Sequence, residues 1–160
     1  MEPKITTKSE IYSMLCRAEI RIDADPIVIW KILTDAQSYP RWNSTVTKID
    51  GEIRDGSRIC IYVPGSKRTF SPTVSGASSG RRMEWNGGLW PFFKGQRAFE
   101  ISARLDGTTH FTMQERFSGI VFAMVKGMLP DFGPIFSAFV VDLKAVSERQ
   151  SATLALLKSA

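Results

Sequence analysis

The sequence predicts an α+β domain in which an antiparallel sheet is covered by one long helix near the C-terminus. Three observations predict it. Between residues 44 and 118, short runs of alternating apolar and polar residues follow one another, separated by turns rich in glycine, proline and aspartate. Connections that short join antiparallel strands. Beyond Pro130 the period becomes helical, with Phe136, Phe139, Val140, Leu143 and Val146 on one stripe. One sheet plus one amphipathic helix makes a two-layer domain.

The composition agrees with that class. The chain has 160 residues, which fits a single domain spanning 1–160, with 1–12 as a loose polar lead-in. Apolar residues at 43% and charged residues at 23% exclude a disordered, collagenous or coiled-coil chain. The longest purely apolar run, Ile120 to Val125, is too short to span a bilayer. The N-terminus carries acidic residues and no apolar core segment, so no secretory signal is expected. Cys16 and Cys60 stand apart, neither in a CxxC pair, which suits reduced thiols in a cytoplasmic protein. The net charge of +5 is a modest excess, compatible with an anionic membrane surface or an acidic ligand, and nucleic acid is not expected. The tight basic pairs, Lys67-Arg68 and Arg81-Arg82, fall in turns and read most simply as solvated surface.

The elements follow in order. Cys16, Ala18, Ile20 and Ile22 alternate with Arg17, Glu19, Arg21 and Asp23, the period of a half-buried strand. Asp25-Pro26 is an N-cap followed by proline at the first helical position, opening a short helix through Thr34 that buries Ile29, Trp30 and Leu33. A second short helix or turn spans Gln37 to Arg41. Strands are then expected at Ser44 to Ile49, Arg58 to Val63, Thr69 to Gly76, Arg82 to Asn86, Lys94 to Leu105 and Thr109 to Ser118. Gly119 to Leu129 is apolar almost all round. The long helix is expected over Ile135 to Gln150, with Leu154, Leu156 and Leu157 as a possible extension and Asp142, Lys144, Glu148 and Arg149 facing away.

The last hairpin allows a register. Phe99, Ile101, Ala103 and Leu105 form one apolar face and Phe111, Met113 and Phe117 the other, so the pairing must keep odd residues opposite odd ones. A three-residue loop, Asp106-Gly107-Thr108, with the glycine left-handed, pairs Leu105 with Thr109, Ile101 with Met113 and Phe99 with Glu115. Arg97 then lies diagonal to Glu115, roughly 7–8 Å away between Cα atoms. A lone inward carboxylate is costly, so an Arg97–Glu115 ion pair facing the interior is expected. Asn43 is a third inward polar candidate.

Several short segments carry a family resemblance. They are Asp25-Pro26 through Trp30 to Leu33-Thr34-Asp35, then Tyr39-Pro40-Arg41-Trp42-Asn43, and Arg81-Arg82-Met83-Glu84-Trp85. Last come Gly107-Thr108-Thr109 with Glu115-Arg116-Phe117-Ser118-Gly119; Asp106 stands where that motif usually has a glycine. Together they resemble the START-like, or SRPBCC, superfamily and its polyketide cyclase/dehydratase-like branch. The resemblance covers Ile20 to about Gln150. It implies the helix-grip fold: a curved seven-stranded sheet around the C-terminal helix, with an apolar cavity between them. The segments matching the cavity's guarding loops are residues 64–68 and 87–93.

Catalytic signatures are sparse. His110 is the only histidine and sits opposite the apolar face, as an exposed structural residue would. With two separated cysteines and one histidine, no metal site assembles from soft ligands, and no cofactor is expected. Phosphate-loop, GxGxxG, HExxH and GxSxG motifs are absent. Cys16 reads as a core thiol and Cys60 as a more exposed one.

The expected function is binding of a small apolar or amphipathic ligand, such as a lipid, isoprenoid or polyketide, in a cavity between sheet and helix. The expected lining is Trp42, Phe70 and Trp85, then Arg97, Phe99 and Ile101, then Phe111, Met113 and Glu115, with Phe136 and Phe139 from the helix. Trp90, in the apolar loop Leu89 to Phe93, is expected at the mouth, because an apolar surface loop covers a cavity, a partner or a membrane. Two rival readings stand beside it. One is a polyketide cyclase or dehydratase with Glu115 and Arg97 as catalytic candidates. The other is an interaction module that docks through residues 119–129, with transient membrane contact or a homodimer as its forms.

Overall fold

The computed structural model describes residues 1–159, with side-chain environments through Leu157. Strands β1 (Lys4–Ser9), β2 (Ser13–Ile22), β3 (Lys48–Asp50), β4 (Cys60–Tyr62), β5 (Thr69–Phe70), β6 (Thr73–Ser75), β7 (Arg82–Leu89), β8 (Phe93–Ala103) and β9 (Thr109–Ser118) alternate with four α-helices. The helices are α1 (Pro26–Thr34), α2 (Tyr39–Trp42), α3 (Ile120–Val125) and α4 (Phe132–Ser159).

The main sheet runs β1-β2-β9-β8-β7-β6, and every neighbouring pair is antiparallel. A smaller sheet, β3-β4-β5, continues from it. The join is a bridge between Arg58 and Thr73, reinforced by Ile59 N–H donating to the Pro72 carbonyl at 3.0 Å. The expectation of one seven-stranded sheet is thus corrected to two connected sheets. Proline explains the break: Pro72 lacks an N–H, so the predicted strand Thr69 to Gly76 splits into β5 and β6.

The lead-in is not loose. Residues Lys4–Ser9 form β1, paired from Lys4 opposite Glu19 to Ser9 opposite Met14. Its polar sequence hid it, because an edge strand needs no alternating apolar face.

The helices behave as their caps dictate. Asp25 Oδ1 accepts from Ile27 N–H at 2.7 Å, with Pro26 in the first turn. Ile29, Ile32 and Leu33 are buried, while Trp30 is half-buried. Helix α4 is longer than predicted, 28 residues or about 42 Å. Phe136, Phe139, Val140 and Leu143 are its buried stripe, as the period required.

The β8–β9 register differs from the expected one by two residues. Ala103 faces Thr109, Ile101 faces Phe111, Phe99 faces Met113 and Arg97 faces Glu115 directly. The faces are unchanged, because a two-residue slip preserves parity. The loop is five residues, 104–108, closed by Arg104 N–H donating to the Thr108 carbonyl at 2.8 Å. Asp106 Oδ1 accepts from Thr108 N–H at 3.0 Å and Oγ1 at 2.6 Å, which favours the wider loop. Gly107 takes φ +81°, as expected of the glycine. Leu105, expected to pair, is fully exposed.

Candidate functional site

The register aligns one row of side chains across all six strands of the main sheet: Thr7, Cys16, Glu115, Arg97, Trp85 and Val74. Directly opposed residues share a face. This is the inner face, covered by α4, because Arg97 lies over the Phe136 ring at 5.5 Å and Phe99 meets Phe139 at 5.8 Å between centroids.

Glu115 and Arg97 form the ion pair expected from the sequence. Arg97 Nη2 and Nε donate to the same oxygen, Glu115 Oε2, at 2.6 and 3.1 Å. The two side chains are 20% and 13% exposed, so solvent reaches the pair from one side. The other oxygen, Oε1, is turned toward Gly95, where even a Cβ would lie 4.0 Å away.

Along the inner face, the pair separates two aromatic groups. Toward the β8 start, Phe93 meets Phe117 at 6.0 Å, Phe117 meets Phe132 at 4.9 Å, and Phe132 meets Phe136 at 6.1 Å. Toward the middle, Trp85 packs edge-on to Phe99 at 4.8 Å, and Phe99 lies against Phe111 and Phe139. Tyr39 packs on Trp42 at 4.7 Å and donates its hydroxyl to the Leu33 carbonyl at 2.9 Å. Burial pushes the Tyr39 phenol far above its usual range, so it serves as a fixed donor and not a proton carrier. Burial likewise pushes the Cys16 thiol up, which makes it inert; Thr7 Oγ1, at the end of the row, is 3.8 Å from its sulfur.

Most predicted lining residues meet here, and some do not. Trp85, Phe99, Ile101, Phe111, Met113, Phe136 and Phe139 are buried around the row, and Trp42 is half-buried beside Tyr39. Phe70 is 56% exposed on the small sheet, away from the pair, because β5 is a two-residue edge strand. Trp90 is 66% exposed at the tip of the β7–β8 hairpin. Asn43 is buried; its Oδ1 accepts from Thr45 N–H and Oγ1 and from Val46 N–H, which closes a turn, while its Nδ2 is buried without a hydrogen-bond partner. His110 is half-buried and 3.7 Å from Glu19, on the outer face. Phe93, Phe117 and Phe132 escaped the sequence reading as site residues. The parity of 93, 95, 97 and 99 contained the first of them, but the β8 start was placed one residue late.

At the β8 start, three segments are stitched together. Ile120 N–H donates to the Pro91 carbonyl at 3.0 Å, Val121 N–H to that of Phe92 at 2.8 Å, and Gly119 N–H to that of Tyr12 at 3.0 Å. Gly119, at φ +127°, has no room for a Cβ, which would collide with the Phe92 carbonyl. This end carries the exposed apolar loop and helix anticipated for a mouth, but Phe99, Phe111, Phe136 and Phe139 are fully buried and fill the space expected for the cavity. The clefts of about 350 and 310 Å³ lie at the opposite end, beside Asp23 and Glu148.

A six-stranded antiparallel sheet gripping a long C-terminal helix, with an ion pair between aromatic groups on its inner face, defines a helix-grip protein of the START-like kind. The chain belongs to the polyketide cyclase/dehydrase and lipid transport family, whose model matches residues 15–148. Among curated protein sequences none matches. Solved structures share the fold at low identity. A protein from Mesorhizobium loti superposes with a TM-score of 0.65 at 18% identity, covering 84% of this chain and 97% of that one. A START superfamily protein from Mycobacterium smegmatis gives 0.58 at 16%, covering 88% and 98%. A truncated norcoclaurine synthase from Thalictrum flavum gives 0.60 at 13%, covering 91% and 98%.

Proposed function

We propose that the protein binds a small amphipathic molecule, such as a lipid, isoprenoid or polyketide, between the inner face and α4, with its polar group at Arg97–Glu115. The observation that carries this is the pair itself: a solvent-reachable ion pair set between aromatic groups on an otherwise apolar face. An apolar site with a few convergent polar groups is the usual form of a small-molecule site. The family's description, which joins cyclisation to lipid transport, supports the same class.

A second reading follows from the free oxygen. Glu115 Oε1 takes neither of the Arg97 hydrogen bonds, so it is placed to accept a proton from carbon next to a ketide carbonyl. Arg97 would stabilise the developing enolate oxygen. This is the cyclase form of the same site.

Denaturing mass spectrometry of the purified protein tests the binding reading directly, through a copurified amphiphile. Titration with fluorescent parinaric acid tests the anchor. Arg97→Met should weaken parinarate binding about tenfold, or ~1.4 kcal/mol, while leaving the methyl ester unaffected. Equal loss for acid and ester, or no loss for either, would remove the anchor role.

A further inference from the structure

We propose that the β7–β8 hairpin tip and α3 form a docking platform for an anionic membrane surface. The platform is continuous. Leu89, Trp90 and Phe92 on the hairpin and Ile120, Val121 and Met124 on α3 are all exposed. The hydrogen bonds from Ile120 and Val121 to the hairpin carbonyls hold the two segments as one surface. Neither Gly87 to Phe93 nor Phe117 to Val125 contains a charged residue. Exposed apolar area of this extent on one end of a molecule marks an interaction site.

Three features select a bilayer as the occupant. First, the apolar side chains protrude: Trp90 is 66%, Met124 79% and Met128 85% exposed. Projecting side chains on a tip and a short helix suit insertion between headgroups, where tryptophan is favoured. Second, the surrounding charge is basic. Lys94, Arg116 and Lys8 stand on the outer face of this end, and Lys126, on the helix side, donates to the Glu10 carbonyl at 2.8 Å. The acidic groups here are Glu10, which accepts from Ser13, and Asp131, which accepts from Gly133 N–H. The excess of cations complements anionic lipid. Third, a second copy docked on this surface would bring the same lysines together, like charge against like. No single helix among the described residues is long and apolar enough to cross a membrane. Residues 120–128 and 132–157 pass together by length and composition but meet at 87°, and the apolar stripe of α4 is buried on the sheet, which leaves an interfacial contact.

The test uses the intact protein and vesicles of phosphatidylglycerol and phosphatidylcholine in equal parts, with pure phosphatidylcholine as reference. Wild type should cosediment with the mixed vesicles, less so at high salt. Trp90→Ser with Met124→Ser should reduce partitioning at least about tenfold. Lys94→Gln and Lys126→Gln should each reduce it by about fivefold on anionic vesicles only. Circular dichroism establishes that each variant is folded. As an independent readout, nitroxide-labelled lipid should quench wild-type fluorescence, and Trp90→Phe should remove that quenching. Absence of wild-type binding, undiminished binding by the folded double variant, or a concentration-dependent dimer that the double variant abolishes without vesicle binding would each overturn the proposal. The vesicle lipids are themselves amphiphiles, so mass spectrometry of the protein left in the supernatant separates the two readings: lipid carried there reports the inner face, cosedimentation reports the platform.

Discussion

The two ends of the main sheet are built from opposite chemistry. At the Ala103–Thr109 end, polar groups lock the layers together. Thr109 Oγ1 donates to the Ala24 carbonyl at 2.6 Å, Asp23 N–H donates to Glu148 Oε1 at 2.8 Å, and Lys144 Nζ donates to the Arg21 carbonyl at 3.0 Å. Lys144 also pairs with Glu148, and Arg21 with Asp106. The clefts on this side are open, about 350 and 310 Å³, and lined by Asp23, Glu148 and Lys144 among others. At the Phe93–Ser118 end, backbone hydrogen bonds hold the segments, Phe117 and Phe122 turn inward, and Leu89, Trp90, Phe92, Ile120 and Met124 project outward. Polar ties are concentrated at the Ala103–Thr109 end and apolar exposure at the other.

Substitutions can break that contrast, and the largest effect belongs to the ground both ends share. Phe139 is buried against Phe99, Tyr39 and Trp42. Phe139→Ala should cost about 3–5 kcal/mol in urea unfolding, through lost burial and the cavity left behind. The tied end comes next. Thr109→Val strands the Ala24 carbonyl in a buried setting and should cost about 1–3 kcal/mol.

Part of the pH dependence of stability should map to the tied end, beside the lowered carboxyls of Asp50, Asp55 and Glu84 elsewhere. Burial pushes Glu148 up, but the Lys144 ammonium and the Asp23 N–H outweigh it and hold the carboxyl below its ordinary value. A depressed folded pKa adds stability above the unfolded value, and that stability is lost as pH falls. The loss should begin as pH drops through 4.5 and continue to the lower folded value. Glu148→Gln should flatten that part of the stability–pH curve and cost about 1 kcal/mol at neutral pH, since the side chain is partly exposed. A curve unchanged by the substitution would show that the tether contributes little.

How much of this was legible depended on whether a residue's role was local. Periodicity placed β2, β8, β9 and the α4 stripe, and Asp25-Pro26 placed the α1 start. Strand parity put Glu115 and Arg97 on one face and predicted their pairing, although the register came out two residues off. The difference has a local cause: Asp106 accepts from Thr108, and the loop widens to five residues. What escaped was non-local. Strand β1 is visible only through its partner β2. The split at Pro72 depends on the bridge from Arg58 to Thr73. Tyr12 joins the apolar end because its carbonyl meets Gly119, which no sequence spacing encodes.

The smallest expected effect is the sharpest test of the comparison. Leu89 ends β7 opposite Phe93 and is 69% exposed. Truncating it removes little buried area, at roughly 25 cal/mol per Å². Its backbone still accepts from Phe92 N–H at 2.9 Å, so the turn keeps its hydrogen bond. Leu89→Ser should therefore shift unfolding stability by no more than about 0.5 kcal/mol, the range of surface substitutions. Measured beside Thr109→Val, it asks whether the two ends differ energetically as they do chemically. A loss above about 1 kcal/mol for Leu89→Ser would mean that the hairpin tip packs onto the core in solution. The apolar end would then be part of the protein's own stability, and the contrast between a tied end and an open one would disappear.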